Sequence, residues 1–130
     1  MEKEVQTRST HVLQEKGEIG QVIIVDEVFA IIAGLAAMEV DGVHSMADNI
    51  TRELIAKLGM KTLSKGVKAE LTEDKVKVYM ALNIEYGYSI PQVSARVQER
   101  VKASIENMTG LTVQDVNIKI AGVIVDKTRP

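Results

Sequence analysis

Few side chains in this sequence are equipped for chemistry. It has two histidines, no cysteine and no tryptophan. Without cysteine there is no disulfide, no zinc–thiolate site and no thiol nucleophile. His11 lies in a polar stretch with no other ligand type at metal-binding spacing. On the predicted folded body the only histidine is His44, which sits beside the hydroxyl of Ser45. Val43 to Met46 reads as a short strand, and neighbours on a strand point to opposite faces. The expectation is therefore that His44 and Ser45 cannot share a proton. Glu39 with Asp41, and Glu73 with Asp74, are paired carboxylates at a helix end and a turn, with no calcium loop of EF-hand type around them. Gly17-Glu18-Ile19-Gly20 matches the bare GxxG of nucleic-acid-clamping KH loops, but it carries an acid and precedes a strand. No phosphate loop or dinucleotide fingerprint occurs. The residues point to no catalytic residue, no cofactor site and no metal site.

Binding by contact is the chemistry left. Between Ile50 and Lys68 there are five bases (Arg52, Lys57, Lys61, Lys65, Lys68) and one acid, Glu53. The rest of the chain holds eleven bases against seventeen acids. A basic segment thus rides on an acidic body. Lys57, Lys61 and Lys65 are spaced by four, so a helix would align them into a face for an acidic partner or lipid headgroups. Lys77, Tyr79 and Asn83 fall on the wetter side of an alternating strand and form a second candidate contact surface.

The elements that must hold these residues are legible from periodicity. Residues 1 to 17 read as a flexible N-terminal tail, residues 18 to 125 as one domain, and residues 126 to 130 as a frayed end. Ile19 to Val25 is predicted as a strand. A helix capped by Asp26 follows, with Val28, Ile31, Ile32, Leu35 and Met38 as its core side. Small residues lie among them, and Gly42 ends the segment. Ile50, Leu54 and Leu58 have helical spacing in a long connection that Gly59 and Gly66 weaken. Val67, Ala69 and Leu71 alternate with polar residues, turn at Glu73-Asp74 and pair with the strand from Val76 to Tyr86. Gly87 then breaks the strand, and Ser89 with Gln92 forms a capping box around Pro91. Ile90, Val93, Val97, Val101, Ile105 and Met108 make one helical stripe, stopped at Gly110. Val116, Ile118 and Ile120 alternate in a last strand. The fold class is α+β: a small mixed or antiparallel sheet with two long helices on one face, in the order β-α-β-(short α)-β-β-α-β.

Bulk composition fits that reading. Hydrophobic residues make up 45% and charged residues 26%, ordinary for a soluble domain, while aromatics are only 3%, so the core is aliphatic. A net charge of −2 offers no general attraction to nucleic acid. The longest apolar run, Val28 to Met38, is far short of the roughly 20 residues a bilayer span needs. No leader is visible in the polar N-terminus.

The landmarks, taken in order, resemble the alkaline shock protein family of Gram-positive-type bacteria, in its short YqhY-type branch. They are Gly17-Glu18-Ile19, Ile32-Ala33, Ala36-Ala37, Gly42-Val43 and Lys65-Gly66-Val67, followed by Tyr86-Gly87, Ile90-Pro91, Val97-Gln98, Val101, Met108-Thr109-Gly110-Leu111 and Val116-Asn117. The resemblance spans Gly17 to Val125. It implies a non-enzymatic cytoplasmic regulator or scaffold that acts by protein–protein contact. It also implies a link to envelope stress and to control of fatty-acid synthesis through acetyl-CoA carboxylase. Partners would be proteins, including further copies of the chain, with membrane reached only through a partner and no nucleic acid. The alternative is a self-assembling structural protein at the inner membrane surface, with a nucleic-acid-binding module third. The family has no defined functional site to carry over. Gly42, Gly66, Tyr86, Gly87, Pro91, Gln98, Thr109 and Gly110 read as structural landmarks.

Overall fold

The computed structural model describes residues 10–17, 19–47 and 50–125. In chain order the elements are β1 (Thr10–Gly17), β2 (Gly20–Val25), α1 (Asp26–Met38), β3 (Val43–Met46) and α2 (Arg52–Leu58), then a 3-10 helix (Met60–Lys65), β4 (Val67–Thr72), β5 (Lys75–Glu85), α3 (Ile90–Thr109) and β6 (Thr112–Ile124). The stated order holds, with one strand added at the front. Residues 10–17, expected as part of a loose tail, pair antiparallel with β2 in a separate two-stranded sheet. Backbone pairing, which needs no apolar alternation, supplies the order that composition hid.

β5 is the spine of the main sheet. β4 runs antiparallel along its first half, from Thr72↔Lys75 to Val67↔Met80. β3 pairs with the rest of the same side, from Met46↔Leu82 to Val43↔Ile84. β6 runs parallel along the other side over the whole length, from Lys75↔Thr112 to Glu85↔Ile124. The β5-α3-β6 unit is a parallel crossover with its helix packed back on the sheet. The mixed sheet therefore carries α1 and α3 side by side on one face, α1 over β4 and α3 over β6.

The β4–β5 connection is a two-residue turn with Glu73 at φ 50 and Asp74 at φ 67. Both are left-handed, the twist a tight hairpin demands. α3 begins where its sequence directs: the Ser89 side chain accepts from Gln92 N, and the left-handed Gly110 stops it. Its buried row is Val93, Val97, Val101, Ile105 and Thr109. Ile90 and Met108, expected in that row, are exposed, Met108 at 69%. Thr109 takes the last core position because its hydroxyl donates to Ile105 O at 2.7 Å and accepts from Leu111 N.

α1 departs further from expectation. Val25, not Asp26, is its N-cap, and Asp26 with Glu27 sits in the first turn, where acids suit the helix dipole. Its buried side is Phe29, Ala30, Ile32, Ala33, Gly34, Ala36, Ala37 and Met38. Val28 is exposed, and Ile31 and Leu35 are half-buried. The small residues face the core because the sheet and the 3-10 helix approach too closely for bulk. A Cβ on Gly34 would stand 3.0 Å from the Leu63 side chain, which has no solvent exposure at all. Leu63 thereby pins the connection between β3 and β4 against α1. Arg52 adds a second attachment, its guanidinium donating to the carbonyls of Met38 at the end of α1 and Val43 at the start of β3.

Candidate functional site

His44 and Ser45 were expected to point apart, and they do not. The β3–β5 register shifts between Val43 and Ser45, so His44 falls out of strand alternation. His44 Nδ1 comes to 3.0 Å from Ser45 Oγ. Ser45 Oγ also accepts from Asn83 Nδ2 at 3.0 Å, and the same amide reaches Met46 O at 3.4 Å. The tautomer of His44 sets which of the two donates, since the Ser45 oxygen keeps a second lone pair beside the one that Asn83 engages. Ser45 has no exposed surface, so it offers a substrate no approach in this conformation. The cluster is a polar knot that fastens β3 to β5. Gly122 makes room for it: a Cβ there would meet Asn83 Oδ1 at 3.1 Å.

Asn83 is thus corrected as a contact residue. It is 7% exposed, because β3 and the Gly122 backbone enclose this end of the sheet. Among the described residues no three His, Asp or Glu side chains gather as metal ligands would.

The open face of the sheet is different. Lys68 lies opposite Tyr79 across β4–β5, and Tyr79 lies opposite Asn117 across β5–β6. The three form one rung across the sheet, with Tyr79 39% exposed. Lys119, one strand-repeat beyond Asn117, and Lys65, at the end of the 3-10 helix, complete the rim. Together with Gly66 and Ala81 these residues line a shallow groove of about 430 Å³. Its lining holds three ammonium groups and no carboxylate. The acid recorded near a rim lysine, Glu70, pairs loosely with Lys68 at 3.9 Å in solvent. Asn117 Nδ2 donates to Val78 O at 3.3 Å, which fixes that side chain against the groove floor.

The expected row of lysines does not form. Lys57 is on α2, whereas Lys61 and Lys65 are on the 3-10 helix beyond Gly59, whose φ of 94 breaks the axis. With about three residues per turn in the 3-10 segment, positions 61 and 65 do not align. Of the three, Lys65 lines the groove, and Lys57 and Lys61 lie outside its lining. Lys77 is half-buried, opposite Glu70 on one side and Asp115 on the other. Lys68, Asn117 and Lys119 were not named as contact residues from sequence. Lys68 could have been: a two-residue turn at positions 73 and 74 already sets it opposite Tyr79.

The remaining landmarks hold the frame. Gly42 has φ 98, and a Cβ there would collide with Val93 Cγ2 at 2.7 Å and with the Tyr88 ring. Gly66 caps the 3-10 helix, Gly87 takes φ 101 at the corner after the exposed Tyr86, and Pro91 sits in the first turn of α3. Gln98 donates to Val116 O at 3.1 Å, a helix-to-strand tie.

The profile of the alkaline shock protein family, described as having a cell envelope-related function, matches residues 14–125. The Bacillus subtilis (strain 168) uncharacterised protein YqhY is 38% identical over 112 residues, covering 86% of this chain and 83% of that one. The uncharacterised protein YloU of the same organism is 32% identical over 113 residues, covering 85% and 94%. Among solved structures, MamM CTD aligns with a TM-score of 0.45 at 14% identity, over 74% of this chain and 93% of that one.

Proposed function

The chain belongs to the alkaline shock protein family, whose function is cell envelope-related, and on that premise we propose that it works in the cytoplasm as a non-enzymatic regulator that holds other proteins. The observation that carries this reading is the groove on the open sheet face. Lys65, Lys68 and Lys119 surround Tyr79 and Asn117 there with no lining acid. That chemistry suits an extended acidic segment: ammonium groups for its carboxylates, an aromatic ring for its apolar side and the Asn117 amide for its backbone. On a body with a net charge of −2, a local basic groove also favours acidic over basic partners. Among the described residues no helix is long and apolar enough to cross a membrane. The regulated process we assign is fatty-acid synthesis, through acetyl-CoA carboxylase.

The test is crosslinking in cells, followed by capture of acetyl-CoA carboxylase subunits with the purified chain and with a Lys65→Glu/Lys68→Glu variant. Capture should fall at least about tenfold in the variant, in line with the loss of two charge-assisted contacts. Capture unchanged by the double reversal removes the groove from consideration. Failure to capture the carboxylase while another acidic protein is retained removes the assigned process.

A further inference from the structure

β6 is one edge of the main sheet: among the described residues only β5 pairs with it. Tyr86 N donates to Ile124 O, so Ile124 points its backbone at β5. Val113 and Val116 point outward. Val113 N donates to Glu106 Oε2 at 2.9 Å, Val113 O accepts from Lys102, and Val116 O accepts from Gln98. Counting through the register shifts in this ladder, the backbone groups of Ile118 and Ile120 also face outward. An exposed strand edge is a template for another strand, and proteins usually blunt it. Here α3 does so over only part of the length. Glu106, Lys102 and Gln98 are a row at i, i−4, i−8 that reaches over the edge. The next positions on that row are Ser94 and Ala95, too short to reach. No described group covers the edge at Ile118 and Ile120.

We propose that a second copy of the chain pairs here, β6 against β6, antiparallel about a two-fold axis at Asn117. This register brings Val116 of each copy opposite the partner's Ile118, and all four residues have outward backbone groups to exchange. It also sets Asp115 opposite the partner's Lys119, and Lys119 opposite the partner's Asp115. Both side chains are exposed on the open sheet face. They fall in the non-hydrogen-bonded pairs, where cross-strand side chains come closest. Moving the axis to Lys119 would face lysine with lysine, and moving it to Ile118 would face Asp115 with Ala121. The charge pattern therefore selects the Asn117 axis. Val116 O can keep Gln98, since a carbonyl oxygen has two lone pairs. The pairing is isologous, so it closes at a dimer and does not propagate.

Sedimentation velocity over a concentration series on the full chain tests this, with Asp115→Lys, Lys119→Asp and the double exchange compared. The native chain should form a dimer. Each single change should weaken it about tenfold, since like charges then oppose each other at both symmetry-related sites. The double exchange should restore it. Asp115→Lys leaves Lys65, Lys68 and Lys119 in place, so loss of self-pairing is read separately from loss of partner capture. A native chain that stays monomeric, growth beyond a dimer, or single variants that dimerise as well as the native chain would each overturn the proposal. Thermal unfolding of every variant separates a lost interface from a lost fold.

Discussion

Ser45 shows how a single residue is decided by its surroundings. Its hydroxyl is buried between His44 and Asn83, and its position in the β3–β5 register shift made the contact with His44 possible. Ser45→Ala removes one partner and leaves the Asn83 amide buried with only the longer bond to Met46 O. The change should destabilise the fold by about 1–3 kcal/mol, the cost of an unsatisfied buried polar group, visible as a lower urea midpoint. Glu106 is a second case. The Lys102 side chain first, and the Val113 backbone N–H next, hold its carboxyl below the ordinary glutamate range. A depressed folded value means the stabilisation is complete above the unfolded value and is lost as pH falls through the folded one. Thermal midpoints should therefore drop on acidification through that window. A Glu106→Gln variant should have a flatter acid limb in the same measurement.

Among elements, the β4–β5 hairpin pairs a favourable geometry with unfavourable residues. Glu73 and Asp74 both sit at positive φ, which Gly, Asn and to a lesser degree Asp accept and which strains the longer Glu73. Replacing them with Asn and Gly should raise stability by about 1 kcal/mol without moving the register, measured by denaturant unfolding with m unchanged. α1 explains why its facing was misread. Between Val28 and Met38 it has no polar residue to mark the solvent side, so spacing alone could not choose which apolar stripe goes in. Volume chose: Ala30, Ala33, Gly34 and Ala37 admit the neighbouring elements, and Val28, Ile31 and Leu35 were left toward the outside. α3, with charged residues on its outer side, was readable in its middle and misread only at its ends.

At the scale of the whole molecule, the element order and both long helices were legible because periods of two and 3.6 survive in single sequences. β1 was hidden, since its segment carries little apolar alternation and its partner strand is what orders it. Half of the groove was legible in principle: the hairpin turn alone sets Lys68 against Tyr79. Asn117 and Lys119 reach the groove through the parallel β5–β6 pairing, which no local pattern encodes. The three lysines spaced by four were a false signal, because Gly59 interrupts the helix that spacing assumes.

Gly34 lies on the buried side of α1, away from any surface a partner could touch. Yet its missing methyl is what lets Leu63 seat, and the segment Leu63 anchors ends two residues later in Lys65. A mutation as mild as alanine at that position should loosen the basic rim from beneath, so this surface can be tuned by a residue that never touches what it binds.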